Sequence, residues 1–397
     1  MRFLKIFAIA SVISIAGFAQ TTTPGPATLR RNYARDIGHP LDGRMRNEGH
    51  GLRAAYLSPI FESSHAANLL SLQNGDLLCF WFSGHWEGES GTAIVMSRLA
   101  AGSPRWSTPV VVDRHEGESY QNPVGFQSPD GTIWLLHTTQ PAGKGESQSR
   151  VLVLQSKDNG KTWSSPAVLF DTPGSYVRNP VLISPGGNWM LPMYFTSEGS
   201  AGVAKIDRPI VAISSDQGKN WKICDIPDAI ARVQPSIFLS SGKGYVALLR
   251  SRRADFIYRS TSQDGCHWSA PVATSLPNNN ASIQTLRLPD GKILLAFNNT
   301  SAQMVDGKRR TGPRKPLSLA LSSDDGETWH SIRDLETGRP GVTDISKLPG
   351  REEYSYPALA LGHDGRIYAA YTFRRETIKV VSFPEKWLTS GTAAFKR

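Results

Sequence analysis

Six times along the chain a short polar turn gives way to a run of apolar and β-branched residues. These are QNGDLLCFWF from Gln73, PDGTIWLLHT from Pro129, PGGNWMLPMYF from Pro185, SGKGYVALLR from Ser241, PDGKILLAFNN from Pro289 and HDGRIYAAYTF from His363. Asn-Gly and Asp-Gly reach the positive φ angles of tight turns, so each phrase predicts a hairpin turn and the strand that follows it. Helical periodicity is nearly absent from the rest of the chain.

A second pattern runs in register with the first. The phrases SKDNGKTW (156–163), SSDQGKNW (214–221) and SSDDGETW (322–329) repeat Ser-x-Asp-x-Gly-x-Thr/Asn-Trp, and weaker versions end at Trp268 (TSQDGCHW) and Trp106 (SRLAAGSPRW). Successive tryptophans stand 57, 58, 47 and 61 residues apart, a period that marks repeated supersecondary units. Ser and Asp can bond nearby backbone amides, Gly permits the turn, and Trp packs against the sheet, so the phrase reads as a stabilised turn. Asp158, Asp216 and Asp324 are accordingly expected to be structural. Six β-rich units predict an all-β fold, a six-bladed β-propeller that removes edge strands by closing on itself.

The 397 residues, 39% of them hydrophobic, suit a soluble globular protein. The N-terminus differs: Arg2 and Lys5 precede IFAIASVISIAGFA, the pattern of a secretory signal, with cleavage expected near Ala19. No other segment has the apolar length of a membrane span. The expected organisation is a signal peptide over 1–19, an extension over 20–49 and the propeller over 50–397, exported to the periplasm or medium. Loss of Arg2 and Lys5 takes the net charge from +10 to +8, which favours anionic partners. The Lys and Arg residues are scattered and no nucleic-acid-binding signature is present, so an acidic glycan is expected rather than nucleic acid. Cys79 lies in an apolar run and reads as a core residue, whereas Cys224 and Cys266 could pair in an oxidising compartment. No Cys/His spacing suggests a metal site; no cofactor is expected, and the chain is expected to act as a monomer.

Ser-x-Asp-x-Gly-x-Thr-Trp is the Asp-box, and its recurrence with six turn-strand units resembles the sialidase (neuraminidase) superfamily, in particular its bacterial branch of predicted neuraminidases with BNR repeats. The resemblance covers about residues 50 to 390. It implies arginines that grip a substrate carboxylate, a tyrosine nucleophile paired with a glutamate, and an aspartate acid/base. A neutral phenol attacks the anomeric carbon without repulsion from the sugar's own carboxylate, an exception to the two-carboxylate scheme.

Carried onto this chain, the resemblance puts Tyr354 of EYSYPALALGHDG at the nucleophile, with Tyr356 two residues on expected on the same face of the strand. Arg314, ahead of the last Asp-box strand, and Arg250, ending SGKGYVALLR, match two of the arginines, and Arg374 and Arg375 are further candidates for that pocket. Their planar forks suit a carboxylate. His65 stands where the first arginine is expected, and Gln234 where the glutamate is expected. Glutamine orients a phenol but cannot take its proton, so a base has to come from His65, Glu352 or Glu353. The loop SGHWEGESG carries Glu89 and Glu87 as candidate acids, with His85 and Trp86 able to line a sugar site. Asn122, Asn179 and Gln234, each followed by Pro, are candidate amide contacts to hydroxyl or N-acyl groups.

The expected function is an exo-acting glycoside hydrolase that releases terminal sialic acid or a related acidic sugar. Two alternatives use the same scaffold. One is a hydrolase or lyase for uronic-acid polysaccharides, with His65 as base. The other is a carbohydrate-binding propeller without catalysis, since fold alone does not confer activity.

Overall fold

Each turn-strand phrase forms the second strand of an antiparallel sheet in the computed structural model, which describes residues 38–197, 207–305, 307–338 and 352–390. The expected leader at 1–19 lies outside the described residues. Six such sheets follow one another as the blades of a propeller: 63–113, 118–170, 175–225, 232–277, 284–336 and, last, 354–383 joined by 46–56. Within each blade the strands run outward from the axis in chain order, and in blade 5 the connection between Ile293–Asn298 and Leu317–Ser322 carries a small extra hairpin, Gln303–Val305 with Lys308–Arg310. Blade 3 departs only in its inner strand, which is broken between Ser175–Val177 and Leu182–Ile183.

The near-continuous apolar runs follow from burial on both faces, because a blade packs against a neighbour on each side. In Ile293–Asn298 the alternation is explicit. Ile293, Leu295 and Phe297 join the core shared with blade 4, while Leu294 and Ala296 join the core shared with blade 6. Each fully buried Leu or Phe contributes about 1.5–3 kcal/mol, so the stability of the ring resides between blades. Cys79 is a core residue of this kind, in the layer between blades 6 and 1.

Closure uses both ends of the described chain. Leu52–Tyr56 pairs antiparallel with Thr377–Phe383, matching Arg53 with Ser382 and Tyr56 with Lys379, and Arg46–Gly49 adds outside it.

The Asp-boxes connect third to fourth strands. Ser156 Oγ donates to Asp158 Oδ1 and accepts from the Gly160 amide, both at 2.8 Å; the Asp158 carboxylate accepts from the Lys161 and Thr162 amides and the Thr162 hydroxyl. Ser214 with Asp216 and Ser322 with Asp324 repeat the arrangement. In the weaker box Cys266 takes the place of the lysine or glutamate and is bonded to Cys224 of the outer strand Lys222–Asp225 of blade 3, a covalent staple between blades 3 and 4.

Candidate active site

The axial strands do not alternate regularly. In blades 1, 2, 4 and 6 the pairing register of the innermost strand slips between His65 and Asn68, Gln121 and Val124, Val233 and Ser236, and Ser355 and Ala358. Within each slip one residue is left-handed: Ala66 (φ 58°), Asn122 (49°), Gln234 (52°) and Tyr356 (52°). Each costs about 1–2 kcal/mol in a non-glycine residue. These are β-bulges, which re-aim side chains next to functional sites. All four lie in the first half of their strands, toward the end of the ring opposite the Asp-boxes.

The bulge in blade 6 decides which tyrosine faces the axial arginines. Tyr354, expected as the nucleophile, packs its ring into the core between blades 5 and 6, 5.1 Å from Phe373. Tyr356 does not share its face, because the extra residue of the bulge breaks the two-residue alternation. It is Tyr356 that stands among the arginines.

Arg250 Nη1 donates to the Tyr356 hydroxyl at 2.7 Å and to Gln234 Oε1 at 2.9 Å; Arg250 Nε and Nη2 donate to Asn280 Oδ1. The guanidinium carbons of Arg178, Arg250 and Arg314 lie 5.3, 5.6 and 5.2 Å from the centre of the Tyr356 ring. Burial pushes the phenol up, but the Arg250 and Arg314 charges outweigh it, and the hydroxyl titrates below its ordinary 10.0. The cationic cage therefore makes this phenol more acidic than an ordinary tyrosine, and Gln234 Oε1 accepts from Arg250 within it.

Beside this cage, Glu353 bridges two arginines. Its Oε1 accepts from Arg314 Nη1 at 2.5 Å and from Ser355 Oγ, and its Oε2 accepts from Arg375 Nε at 3.0 Å. Burial raises its pKa, yet Arg314 and Arg375 together hold it well below the usual carboxylate range. Arg375 Nη1 also donates to Glu87 Oε2 at 2.7 Å, and its guanidinium lies 5.7 Å from the Trp86 ring centre. His65 is fully buried; its Nδ1 is 2.8 Å from Thr372 Oγ1 and 3.6 Å from Glu353 Oε1, and its ring lies 4.2 Å from that of Tyr356. Burial, followed by the Arg375 charge, holds the imidazole well below 6.5, so His65 is a neutral wall. Its ring is walled in by those of Phe82 and Tyr356.

The other expected residues separate by location. Glu89 and His85 are exposed on the loop that brings Glu87 inward. Glu352 is buried and accepts from Lys315 Nζ at 2.6 Å. Arg374 pairs with Glu376 of its own turn. Asn122 holds the bulge of blade 2, and Asn179 Nδ2 donates to the Gln234 and Pro235 carbonyls, tying blade 3 to blade 4.

Arg178 went unrecognised in the sequence. It is 1% exposed and spans the axis from blade 3, donating to the Ala67 and Pro357 carbonyls of blades 1 and 6. Asn280, which orients Arg250, was also missed. Two signals were present in the chain. Arg178 immediately precedes an Asn-Pro phrase, and Tyr356-Pro357 is a fourth phrase of that kind. Tyr356 also precedes Asp364 by eight residues, as Asn122 precedes Asp130 and Ala66 precedes Asn74.

Comparison with known proteins agrees with this architecture. The family model described as a BNR repeat-like domain matches residues 75–369. A sialidase of Micromonospora viridifaciens is 25% identical over 297 residues, covering 65% of this chain and 43% of that protein, so the chain spans less than half of this relative's length. Among solved structures, the Hadza microbial sialidase Hz136 aligns with a TM-score of 0.65 at 17% identity, covering 82% of this chain and 66% of that one. The intramolecular trans-sialidase of Ruminococcus gnavus aligns with a TM-score of 0.64 at 14% identity, covering 84% and 97%. A protein of unknown function from Dyadobacter fermentans gives 0.65 at 18%, covering 85% and 100%. At these identities the structures speak for the fold, and the family match extends over most of the ring. The chain belongs to the BNR repeat-like domain family, within the sialidase superfamily.

Proposed function

We propose that this protein is an exported, retaining exo-glycosidase that removes a terminal carboxylate-bearing sugar, sialic acid in particular, from glycans. One observation carries the reading. Arg178 and Arg250 are both buried against the Tyr356 ring, and their partners among the described residues are carbonyls, amides and a phenol, with no carboxylate. Buried charge without a counter-ion is costly, and an anionic ligand would supply the missing one. Tyr356, drawn toward phenolate by Arg250 and Arg314, attacks the anomeric carbon, and Glu87 donates its proton to the departing glycosidic oxygen. Water then releases the sugar from the tyrosine with Glu87 as base. The Cys224–Cys266 disulfide supports an oxidising compartment and hence export. Tyr356, rather than an imidazole base, carries this chemistry, and the burial of His65 gives no support to elimination.

The test is release of free sialic acid from a sialylated glycoprotein, with Tyr356→Phe and Tyr354→Phe in parallel. Tyr356→Phe is expected to lower kcat by about 10³-fold or more, while Tyr354→Phe retains most of the activity. Loss in Tyr354→Phe with survival of Tyr356→Phe would restore the role to Tyr354, and no release by folded wild type would remove sialic acid as the substrate.

A further inference from the structure

The inner strand of blade 3 has no bulge; it is interrupted. It stops at Val177 and resumes at Leu182, and Arg178 and Asn179, each 1% exposed, stand in the gap. Their side-chain donors leave the blade. Arg178 Nη1 donates to the Ala67 carbonyl at 3.0 Å and Nη2 to the Pro357 carbonyl at 3.1 Å, while Asn179 Nδ2 donates to the Gln234 and Pro235 carbonyls at 2.9 and 3.0 Å. Ala67, Pro235 and Pro357 each follow the left-handed residue of a bulge, in blades 1, 4 and 6. A bulge interrupts the ladder, so its buried backbone groups need partners from elsewhere. Two adjacent side chains of blade 3 provide them at three bulges.

Both routes end at Tyr356. On the first, Arg178 holds the carbonyl of the next residue and sets its guanidinium carbon 5.3 Å from the centre of the Tyr356 ring. On the second, Asn179 holds the Gln234 carbonyl, Gln234 Oε1 accepts from Arg250 Nη1, and Arg250 Nη1 donates to the Tyr356 hydroxyl. One route fixes the ring and the other the hydroxyl. Left-handed Gln234 and Tyr356 are strained, and such strain persists where the surroundings over-determine it.

Resting on the reading that Tyr356 is the nucleophile of this site, we propose that Arg178 and Asn179 are positioning residues that hold the bulges of blades 1, 4 and 6 and thereby aim the Tyr356 phenol. The interrupted strand is what allows it. Side chains of a continuous strand stand on the two faces of its sheet, toward the adjoining blades; the gap lets Arg178 reach blades 1 and 6 across the axis instead.

The experiment reads Tyr356 directly. Near-ultraviolet absorbance of phenolate is followed against pH in the full chain, and the same chain carrying Tyr356→Phe is subtracted. Arg250 and Arg314 act most strongly on this phenol, Arg375 and Arg178 act in the same sense, Glu87 opposes them and His65 is neutral, so the wild-type midpoint is expected below 10.0. Arg178→Lys keeps a point charge but loses the planar fork that spans two carbonyls. Asn179→Ala leaves every charge in place. Each is expected to raise the midpoint by about 0.5–1 pH unit and to lower kcat on a sialylated glycoprotein by about 10- to 100-fold with little change in KM. A residue that merely braces the ring would lower Tm and leave the midpoint and kcat of the folded protein at their wild-type values. That result in either variant overturns the proposal for the residue concerned. If Arg178→Lys does not fold, Asn179→Ala decides the proposal by the same readings, since it removes only the hydrogen bonds to Gln234 and Pro235. The phenol titration needs no substrate, so a folded wild type that releases no sialic acid counts against the sialic acid reading alone.

Discussion

At His65 the imidazole is sealed against water, and its protonation is opposed first by burial and then by the Arg375 charge, with Glu353 pulling the other way and losing. The unfolded chain takes up a proton at this residue below about pH 6.5, while the folded chain resists until a lower pH. The stability owed to neutral His65 is therefore fully present above 6.5. It is lost as pH falls from 6.5 toward the folded value, at about 1.4 kcal/mol per pH unit. Glu353 acts lower down: its folded pKa is depressed, so its contribution is present above about 4.5 and disappears in stronger acid. Urea midpoints at pH 7.5, 6.5 and 5.5 are expected to fall more steeply for wild type than for His65→Gln. Parallel curves would mean that His65 does not titrate as its burial requires. Tyr356 carries the opposite lesson about burial, since its neighbouring guanidiniums reverse the effect and lower the phenol.

Among the elements, the Asp-box turns and the axial bulges divide the labour. The boxes close the outer hairpins at the end of the ring away from Tyr356, where their hydrogen bonds hold the turns. Ser322 is fully buried, donates to Asp324 Oδ1 and accepts from the Gly326 amide. Ser322→Ala should destabilise the fold by about 1 kcal/mol, read as a lower urea midpoint, with kcat unchanged. A large loss of turnover at full folding would show that the boxes do more than brace the blades. Their repeated spelling made them legible in the sequence, because every atom of the turn comes from one octapeptide. The bulges were only half legible. Pro follows the left-handed residue at three of the four, Asn122, Gln234 and Tyr356, but the direction in which a bulged side chain points depends on the strand across from it.

For the whole ring, stability is shared among six interblade cores and a closure that joins residues 46–56 to the last blade. Neighbouring blades contact through side chains and through local backbone hydrogen bonds such as that from the Tyr120 amide to the Thr92 carbonyl at 3.0 Å, and the Cys224–Cys266 bond adds a covalent link between blades 3 and 4 across 42 residues. Loop-closure entropy assigns such a link about 4 kcal/mol at most. Replacing both cysteines by Ser should lower unfolding stability by about 2–4 kcal/mol, and wild type in reducing agent should fall to the same value. A reduced wild type as stable as the oxidised protein would show that the cores alone hold these blades.

The amino-acid sequence by itself determined what depends on local pattern: turn followed by strand, six times over, and Asp-boxes at regular intervals. From these came the all-β propeller and the structural reading of Asp158, Asp216 and Asp324, while the candidacy of Arg250, Arg314 and Glu87 came from the resemblance to sialidases that the pattern carries. These are properties of short segments, and backbone sterics and period-two burial decide them. Only the tertiary structure decided which tyrosine stands among the arginines, that Arg178 crosses the axis, that Glu353 bridges Arg314 to Arg375, and that His65 is fully buried. Those outcomes depend on groups brought together from blades up to about 300 residues apart in the chain, as when Thr372 meets His65. The physical reason is that a side chain's direction at a bulge, and the charge it bears once buried, are set by neighbours that ring closure alone supplies.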